Sequence, residues 1–350
     1  MLSAARGASP SRIPVWFMRQ AGRSLPEYRR AREGISMLDA CLTPDLAAEI
    51  TCQPVRRHDV DAAVFFSDIV IPMRLAGVGV DIKPGVGPVF DEAANTPERI
   101  AALTAHRIED TEAIERAVGL VVAELGAATP VVGFAGAPFT LAAYLVEGRP
   151  SRDHLAARTL MHAEPAAWDQ LMTWCAELST QFLLTQVRSG ARLVQLFDSW
   201  VGSLSEADYR AHVLPYSTRV LDAVRQEAPE LPRIHFGTNT AHLLPALAEA
   251  HATVIGVDHR TPLSEATRIL SGAYPLQGNI NPALLAAGPE LLHAHAREVV
   301  AEGASAPGHI VNLGHGVPPT TDPQVLTDLV SFLHSLPVPA AGAAGQGGAQ

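Results

Sequence analysis

Short apolar runs alternate along the chain with longer segments of helical pattern, and this alternation constrains the fold more than any other feature. Eight runs are candidate strands: IPVWFM (13–18), DAAVFF (61–66), PVVGFAG (130–136), RLVQLF (192–197), RIHFGT (233–238), TVIGVD (253–258), YPLQGN (274–279) and HIVNLG (309–314). Most are unbroken rather than alternating, as in parallel strands buried on both faces. Eight strands in β–α alternation predict an α/β protein with a single (β/α)8 barrel of the TIM type, and 350 residues suit that fold.

Helix starts lie between the apolar runs. Thr43 and Thr96 each precede a proline and then an acid, and Asp322 precedes a proline, which is the pattern of a capped first turn. A doubly wound open sheet is the alternative architecture, but the GxGxxG fingerprint is missing after the first apolar run. The glycine-rich stretch GVGVDIKPGVGP (77–88) is followed by no helix in register, so it predicts a hairpin or loop.

Both ends of the chain have the composition of disordered segments. Residues 1–11 are small and polar, and residues 337–350 are mostly Ala, Gly and Pro, so neither end can offset its ordering entropy by burial. We therefore expect one barrel domain over 12–336. Neither a run of about 18 apolar residues nor the apolar core of a secretory signal is found, so we expect no membrane span and no secretory signal.

Composition excludes several classes of function. The formal net charge of −10 argues against nucleic acid or an anionic membrane as the main partner. The three cysteines form no CxxC pair, which fits buried thiols in a reducing compartment. Lys83 is the only lysine, and it lies in the glycine-rich turn. Schiff-base chemistry needs a lysine amine, so both pyridoxal phosphate and a lysine–carbonyl mechanism are disfavoured.

The stretch FMRQAGRSLPEYRRAR (17–32) concentrates positive charge within this acidic chain. It contains a single acid, Glu27, and five arginines: Arg19, Arg23, Arg29, Arg30 and Arg32. A guanidinium group pairs with carboxylates through two parallel hydrogen bonds, and Gly22 lets the backbone approach a ligand closely. Several arginines at one mouth imply a ligand with several carboxylates. A phosphate ester is the alternative, but no phosphate loop supports it.

Polar residues follow most of the apolar runs, where a barrel carries its chemistry. They are Arg19, Gln20, Arg23, Ser67, Asp68, Tyr144, Asp198, Ser199, His235, Asp258, Asn279 and His315. We expect most of them to converge on one rim, with Asp258 and Asn279 serving the structure. Metal sites are disfavoured. HFG (235–237) lacks a second ligand at short spacing, HAHA (293–296) lies in a helical stretch expected at the surface, and the lone histidine of NLGHG (312–316) suits a ligand hydrogen bond better than a metal site.

Five of these segments match a known family. PVWFMRQAGRSLPEYR (14–29) closely resembles the N-terminal signature of the uroporphyrinogen decarboxylases, and the resemblance continues in FSDI (66–69), GFAGAPFTLAAYLVEG (133–148), QLFDSW (195–200) and NLGHG (312–316). It spans roughly residues 13–335 in matching order. The resemblance implies a homodimeric barrel in haem synthesis, without cofactor or metal, that converts the four acetate side chains of uroporphyrinogen to methyls and yields coproporphyrinogen and CO₂.

The resemblance also implies the site residues. The substrate-binding set is Arg19, Gln20, Ala21, Gly22, Arg23, Asp68, Tyr144, Ser199 and His315, and Arg32 matches a further arginine of the pattern. Asp68 and Arg19 are the implied catalytic residues. At two positions where the family commonly has other, aromatic residues, this chain has Ser24 and Phe139. Neither difference changes a charged group.

The chemistry implied by the resemblance needs no cofactor, because a protonated pyrrole can itself serve as the electron sink. An ionised Asp68 is expected to stabilise the positive ring, whereas the proton donor stays open between Arg19, acting weakly or through water, and His315. Three other functions remain to be weighed: a zinc-dependent corrinoid or thiol methyltransferase of the same superfamily, a non-catalytic tetrapyrrole carrier, and a phosphate-binding isomerase barrel.

Overall fold

A computed structural model describes residues 1–83 and 85–339 of the chain. Its strands are β1 Ala63–Val64, β2 Val80–Lys83, β3 Gly87–Phe90, β4 Val131–Gly136, β5 Leu193–Asp198, β6 Arg233–Gly237, β7 Val254–Gly256, β8 Leu276–Gln277 and β9 His309–Ile310. Its helices are α1 Leu2–Ala5, α2 Pro26–Ala31, α3 Met37–Cys41, α4 Pro44–His58, α5 Ile71–Leu75, α6 Pro97–Leu103, α7 Glu112–Leu125, α8 Pro138–Glu147, α9 Leu155–Ala163, α10 Pro165–Arg188, α11 Glu206–His212, α12 Leu214–Glu227, α13 Leu244–Glu249, α14 Leu263–Ile269, α15 Pro289–Gly303 and α16 Pro323–Ser335. Short 3₁₀ turns lie at Val201–Ser203, Ala241–Leu243 and Pro282–Ala286.

Seven strands form one curled parallel sheet in the order β1-β4-β5-β6-β7-β8-β9, so neighbours in the chain are neighbours in the sheet. Helices connect them, which confirms the predicted α/β class. The strands β2 and β3 form a separate antiparallel hairpin in the glycine-rich stretch, where Val80 lies opposite Phe90. This confirms a hairpin rather than a phosphate loop. The parallel order brings the carboxyl ends of all seven strands to one side of the molecule.

The first apolar run, 13–18, departs from the prediction of eight regular strands. It forms only a parallel bridge between Val15 and Val311, next to β9. On its other side the Val15 carbonyl accepts a hydrogen bond from the Asp61 backbone N–H (2.8 Å), but the Val15 N–H donates to the Asp61 carboxylate instead of to a strand. Pro14 has no N–H to donate, so the local sequence interrupts a regular ladder.

The predicted helix starts are confirmed. The helices α4, α6 and α16 begin at Pro44, Pro97 and Pro323. The Thr96 hydroxyl accepts from Arg99 N–H, and the Asp322 carboxylate accepts from Gln324 N–H, whereas the Thr43 side chain makes no cap bond. Within residues 1–83 and 85–339, no helix has both the length and the apolarity to cross a bilayer.

The concave face of the sheet encloses an apolar cluster that includes Trp16, Met18 and Phe134. Two buried glutamines lie within this interior. The Trp16 indole N–H donates to Gln277 Oε1 (3.0 Å), and Gln277 Nε2 donates to Gln195 Oε1 (2.7 Å). The buried amides of both glutamines and the Trp16 indole therefore have hydrogen-bond partners, as burial requires. The outer faces of the strands pack against the helices in a second, larger cluster.

The predicted disorder of residues 1–11 is wrong for the start of the chain. Leu2–Ala5 forms helix α1, and Ala4 and Ala5 are buried in the interior cluster. The fit depends on small residues, because a Cβ added to Gly308, just before β9, would lie 2.1 Å from the Ala4 carbonyl oxygen. The helix therefore covers the amino ends of the strands. In the predicted tail, residues 340–350 lie outside the described part of the chain.

Candidate active site

Arg19 lies directly after the first apolar run, with its backbone in the left-handed region at φ 61°. A non-glycine residue pays about 1–2 kcal/mol for that conformation, and such strain is found where the surrounding structure fixes a functional side chain. Its side chain packs over Gly316, since a Cβ on that glycine would lie 2.6 Å from Arg19 Cδ. The first and last polar loops of the chain thus meet at this arginine.

Asp68 lies in the turn between β1 and α5. Its Oδ1 accepts a hydrogen bond from the Val70 N–H (3.1 Å). Burial raises the pKa of the carboxyl, and the Val70 N–H, the Arg19 charge and the Ile69 N–H oppose that rise. The side chain keeps some solvent exposure although protein surrounds it closely, so it lies in a depression that opens to solvent. A cationic or N–H-bearing ligand in this depression favours the ionised form.

Tyr144, on α8, lies near the same two charges. Burial, followed by the negative charge of Asp68, raises the pKa of Tyr144 to about 12, and the Arg19 charge opposes this. The phenol is therefore a neutral hydrogen-bond donor at physiological pH. Its ring packs edge-to-face on Trp200, with centroids 5.2 Å apart. That contact fixes the ring and leaves the half-buried side chain at the edge of the depression.

His315 completes the group of charged and polar side chains at the opening. Its ring is exposed, yet the pKa of the imidazole is lowered, first by desolvation and then by the Arg19 charge. It is therefore neutral at physiological pH and can both donate and accept a hydrogen bond. The Arg19 charge acts on the pKa of each of the other three groups, so the four residues lie near one another, and we call Arg19, Asp68, Tyr144 and His315 the mouth cluster.

The other predicted substrate residues differ in accessibility. Arg23 is exposed, and Ala21, Gly22 and Ser199 are half-buried, so all four can be reached from solvent. Gln20 is fully buried. Its Oε1 accepts from the Phe17 N–H (3.0 Å), and its Nε2 donates to the Ala62 carbonyl (2.9 Å). The structure therefore does not present the Gln20 side chain to a ligand, because both ends of its amide already bind the scaffold.

The arginines further along the stretch have separate environments. Arg32 donates to the Tyr28 hydroxyl (2.6 Å), while its buried Nε has no hydrogen-bond partner among the described residues. Burial raises the pKa of the nearby Cys41 thiol, the Asp68 charge adds to this, and the Arg32 charge opposes it. Arg32 is thus close to Cys41, which in turn lies near Asp68 of the opening. Arg29 instead braces the loop, by donating to the Arg23 carbonyl (2.7 Å).

Several residues at strand ends bind the fold and not the opening. Asp198 is fully buried, accepts from the Thr140 hydroxyl (3.0 Å) and faces His235 Nε2 at 3.4 Å. The expectation that these side chains join the rim is therefore wrong. Asp258 accepts from the Asn239 N–H (2.6 Å) and Asn279 donates to the Asp258 carbonyl (2.8 Å), which confirms their predicted structural role.

Two residues near the opening were missed. Trp200 directly follows Ser199 and packs on Tyr144, and it belongs to the quoted motif QLFDSW. His259 follows the apolar run ending at Asp258. Its buried Nδ1 has no hydrogen-bond partner within 1–83 and 85–339, and its charge contributes to lowering the His315 pKa. Each is the next residue after a polar residue that follows an apolar run, Ser199 for Trp200 and Asp258 for His259.

The chain matches a family model described as uroporphyrinogen decarboxylase (URO-D) over residues 1–336. Among curated relatives named uroporphyrinogen decarboxylase, that of Arthrobacter sp. (strain FB24) is 60% identical over 336 residues, covering 96% of this chain and 96% of the relative. That of Leifsonia xyli is 56% identical, covering 92% and 90% of the two chains. That of Saccharopolyspora erythraea is 54% identical, covering 96% and 94%.

Two solved structures have a similar fold at low sequence identity. A methyltransferase from Methanosarcina mazei superposes with a TM-score of 0.77 at 16% identity, covering 95% of this chain and 96% of the other. A B12-independent methionine synthase from Shewanella sp. W3-18-1 gives a TM-score of 0.55 at 10% identity, covering 82% and 86%. These similarities concern the fold alone.

Proposed function

Because the chain belongs to the uroporphyrinogen decarboxylase family, and so decarboxylates uroporphyrinogen in porphyrin biosynthesis, we propose that the mouth cluster binds this substrate and carries out the reaction. In this proposal the four acetate side chains become methyls, giving coproporphyrinogen and four CO₂. The observation that carries it is the placement of Asp68 in a depression beside Arg19, with Tyr144 and His315 at its edge.

The positive charges of the arginines complement the negative charge of the substrate. Uroporphyrinogen carries eight carboxylates, and a carboxylate pairs with guanidinium through charge-assisted hydrogen bonds. In our proposal Arg19 and Arg23, both exposed, bind the carboxylates of the acetate and propionate groups. Neutral Tyr144, Ser199 and His315 orient carboxylates and pyrrole N–H groups without adding charge.

In this proposal Asp68 stabilises the positive charge that develops on the pyrrole ring. Protonation of the pyrrole α-carbon makes the ring cationic, and the acetate C–C bond then breaks to release CO₂, its electrons forming an exocyclic enamine. Protonation of the exocyclic carbon gives the methyl, and loss of the proton from the α-carbon restores the neutral pyrrole. A carboxylate that accepts hydrogen bonds from the pyrrole N–H groups stabilises the cation. Those N–H donors also offset the burial that raises the Asp68 pKa in the free protein, so substrate binding favours the ionised form.

Arg19 is our choice for delivering the proton, through a water that it polarises. A guanidinium with a pKa above about 12 is a weak acid by itself, but its fixed charge makes a bound water more acidic. His315 is less suited, because desolvation and the Arg19 charge keep its imidazole neutral. His315 would instead be the donor if activity fell with a pKa assignable to His315 and this pH dependence were lost in His315→Gln.

The decisive experiment combines substrate turnover with a matched pair of variants. Purified protein is incubated anaerobically with uroporphyrinogen III and a chelator, and the oxidised products are counted by carboxylate number. Stepwise products from seven to four carboxylates support a cofactor-free decarboxylase. We expect Asp68→Asn to lower kcat by about 100-fold or more, as for other lost charge-stabilising groups.

The matched control is Asp110→Asn. Asp110 is exposed and accepts from the backbone N–H two residues ahead (Glu112, 2.8 Å), as Asp68 does from Val70. It should keep normal turnover, because it repeats the local hydrogen bond outside the mouth cluster. Normal turnover by Asp68→Asn would remove Asp68 from the mechanism. Tight binding of uroporphyrinogen by the wild-type protein without turnover would favour a carrier.

A zinc-dependent methyltransferase remains the related alternative, and its ligand chemistry argues against it. Such a centre needs thiolate ligands, whereas burial raises the pKa of all three thiols, that of Cys52 to about 12. In the described residues, no three His, Cys, Asp or Glu ligand atoms gather at the mouth cluster. Activity that required added zinc and a thiol acceptor would overturn our assignment.

We further propose that residues 13–18 act as the eighth strand and close the sheet into a (β/α)8 barrel over 12–336. Two contacts support this. The Trp16 N–H donates to the Val311 carbonyl on one side, and the Asp61 N–H donates to the Val15 carbonyl on the other. Hydrogen exchange of the Trp16 and Asp61 amides as slow as in β4 is expected, and rapid exchange of either would contradict closure.

The proposed setting is a cytoplasmic homodimer. Three free, buried cysteines fit a reducing compartment, and the family resemblance suggests two copies. Sedimentation equilibrium is expected to give twice the chain mass of 37.1 kDa. A single-chain mass at micromolar concentration would reject the dimer.

A further inference from the structure

A compact cluster of possible metal ligands lies on the helices and involves no member of the mouth cluster. His162 comes from α9, and Asp208 and His212 come from α11. Their ligand atoms all lie within 4.8 Å of one another, and His162 Nε2 is 3.5 Å from Asp208 Oδ1. Among the residues that the structure describes, no other group of three such side chains is this compact.

The local structure explains why the three side chains meet. Asp208 and His212 are four residues apart on α11 and so share one helix face. The Ser205 hydroxyl accepts from the Asp208 N–H (3.1 Å) at the start of this helix, and the Trp168 indole donates to the His212 carbonyl (3.1 Å) at its end. The backbone is thus held at both ends, and the His162 and His212 rings lie edge-to-face with centroids 5.4 Å apart.

The spacing suits a tetrahedral ion. Bonds of about 2.1 Å to nitrogen and oxygen place neighbouring ligand atoms about 3.4 Å apart. The observed distance of 3.5 Å between His162 Nε2 and Asp208 Oδ1 already matches this, and small rotations of the His162 and His212 side chains can shorten the other distances, which are within 4.8 Å. Three protein ligands leave a position for water.

From this geometry we infer that His162, Asp208 and His212 bind a divalent transition-metal ion, with Zn²⁺ as the expected occupant. Two imidazoles and one carboxylate match the preference of Zn²⁺ for nitrogen and oxygen ligands, whereas Mg²⁺ and Ca²⁺ prefer oxygen alone. The ion joins α9 to α11. The site includes no member of the mouth cluster, so the decarboxylation chemistry does not pass through the ion.

The test measures Zn²⁺ binding to the metal-stripped protein by calorimetry, and the Tm with and without Zn²⁺. Wild-type protein should bind one Zn²⁺ per chain with a rise in Tm. His162→Asn and His212→Ala should each weaken binding by at least about 10-fold, since even second-shell partners of metal ligands contribute that much. Co²⁺ should give the visible absorption of a tetrahedral site in the wild type only.

The matched control is His251→Asn. Exposed His251 also lies beside a carboxylate, with its Nδ1 3.6 Å from Asp222 Oδ1, but the described part of the chain provides no third ligand there. Binding should be unchanged in this variant. Zn²⁺ binding that survives in both His162→Asn and His212→Ala, or no saturable binding by the wild type, would overturn the inference. Uroporphyrinogen turnover in chelator is a separate readout, so failure of the metal site leaves the proposed function intact.

Discussion

At the scale of single residues, Gly316 controls the position of Arg19. A methyl group at Gly316 would lie 2.6 Å from Arg19 Cδ and 2.9 Å from Cγ, so the arginine side chain must move. We expect Gly316→Ala to lower kcat/KM for uroporphyrinogen by about 10-fold or more, since displacement by 1 Å can cost 100-fold. The measurement is steady-state kinetics together with the unfolding midpoint in urea.

Gly119→Ala provides the comparison for this variant. Gly119 is exposed on α7, and nothing lies within 4 Å of the added Cβ. Activity should be normal, and alanine should stabilise the helix by about 1 kcal/mol. If Gly316→Ala is as active as Gly119→Ala, then Arg19 does not need its observed position.

A polar residue after an apolar run correctly indicated a position at a strand end. It did not indicate whether the side chain faces the opening or is buried in the fold. Asp68 and Asp198 both follow buried apolar runs, yet Asp68 opens to a depression and Asp198 is enclosed by Thr140 and His235. The difference comes from partners on other strands, which no single run contains. The residues implied by the resemblance are accessible to solvent, with the exception of Gln20. Its amide is buried and binds the backbone at Phe17 and Ala62.

At the scale of elements, helix α1 closes one end of the interior. Ala4→Asp places an unpaired charge at a position with no solvent exposure. We expect the free energy of unfolding to fall by at least about 2 kcal/mol, because an uncompensated buried charge is among the most destabilising changes. Urea unfolding followed by circular dichroism measures the effect.

Ser3→Asp is the control for this helix. Ser3 is adjacent in α1 but exposed, so its substitution should change the unfolding free energy by less than about 0.5 kcal/mol. Equal stability of the two variants would mean that α1 does not pack on the interior in solution.

Elements were predictable where periodicity alone decides. The capped helices and the seven sheet strands follow from local pattern, whereas α1 is too short for a periodic signal and gains its stability from packing. The proposed metal cluster escaped for a similar reason. Its ligands come from α9 and α11, which are separated by the whole of α10, so no spacing rule connects them.

At the scale of the whole molecule, buried histidines link the stability of the fold to pH. His309 is surrounded by protein and its Nε2 contacts the Gly278 carbonyl (2.7 Å), while His58 on α4 contacts the Thr327 hydroxyl on α16 (2.7 Å). Burial lowers the pKa of each to about 4. Both are therefore neutral in the folded protein at pH 7.

This burial predicts a loss of stability in mild acid. The unfolded chain binds these protons near pH 6.5, but the folded chain does so only near pH 4, so stability is complete above pH 6.5 and falls through this window. At pH 5 each histidine should cost about 2 kcal/mol. Urea unfolding at pH 7.5, 6 and 5 measures the slope, and His309→Gln should flatten it, whereas His251→Asn, at an exposed position, should not. A slope that is the same in all three proteins would mean that His309 can be protonated without unfolding, through an opening of the contact between β9 and Gly278.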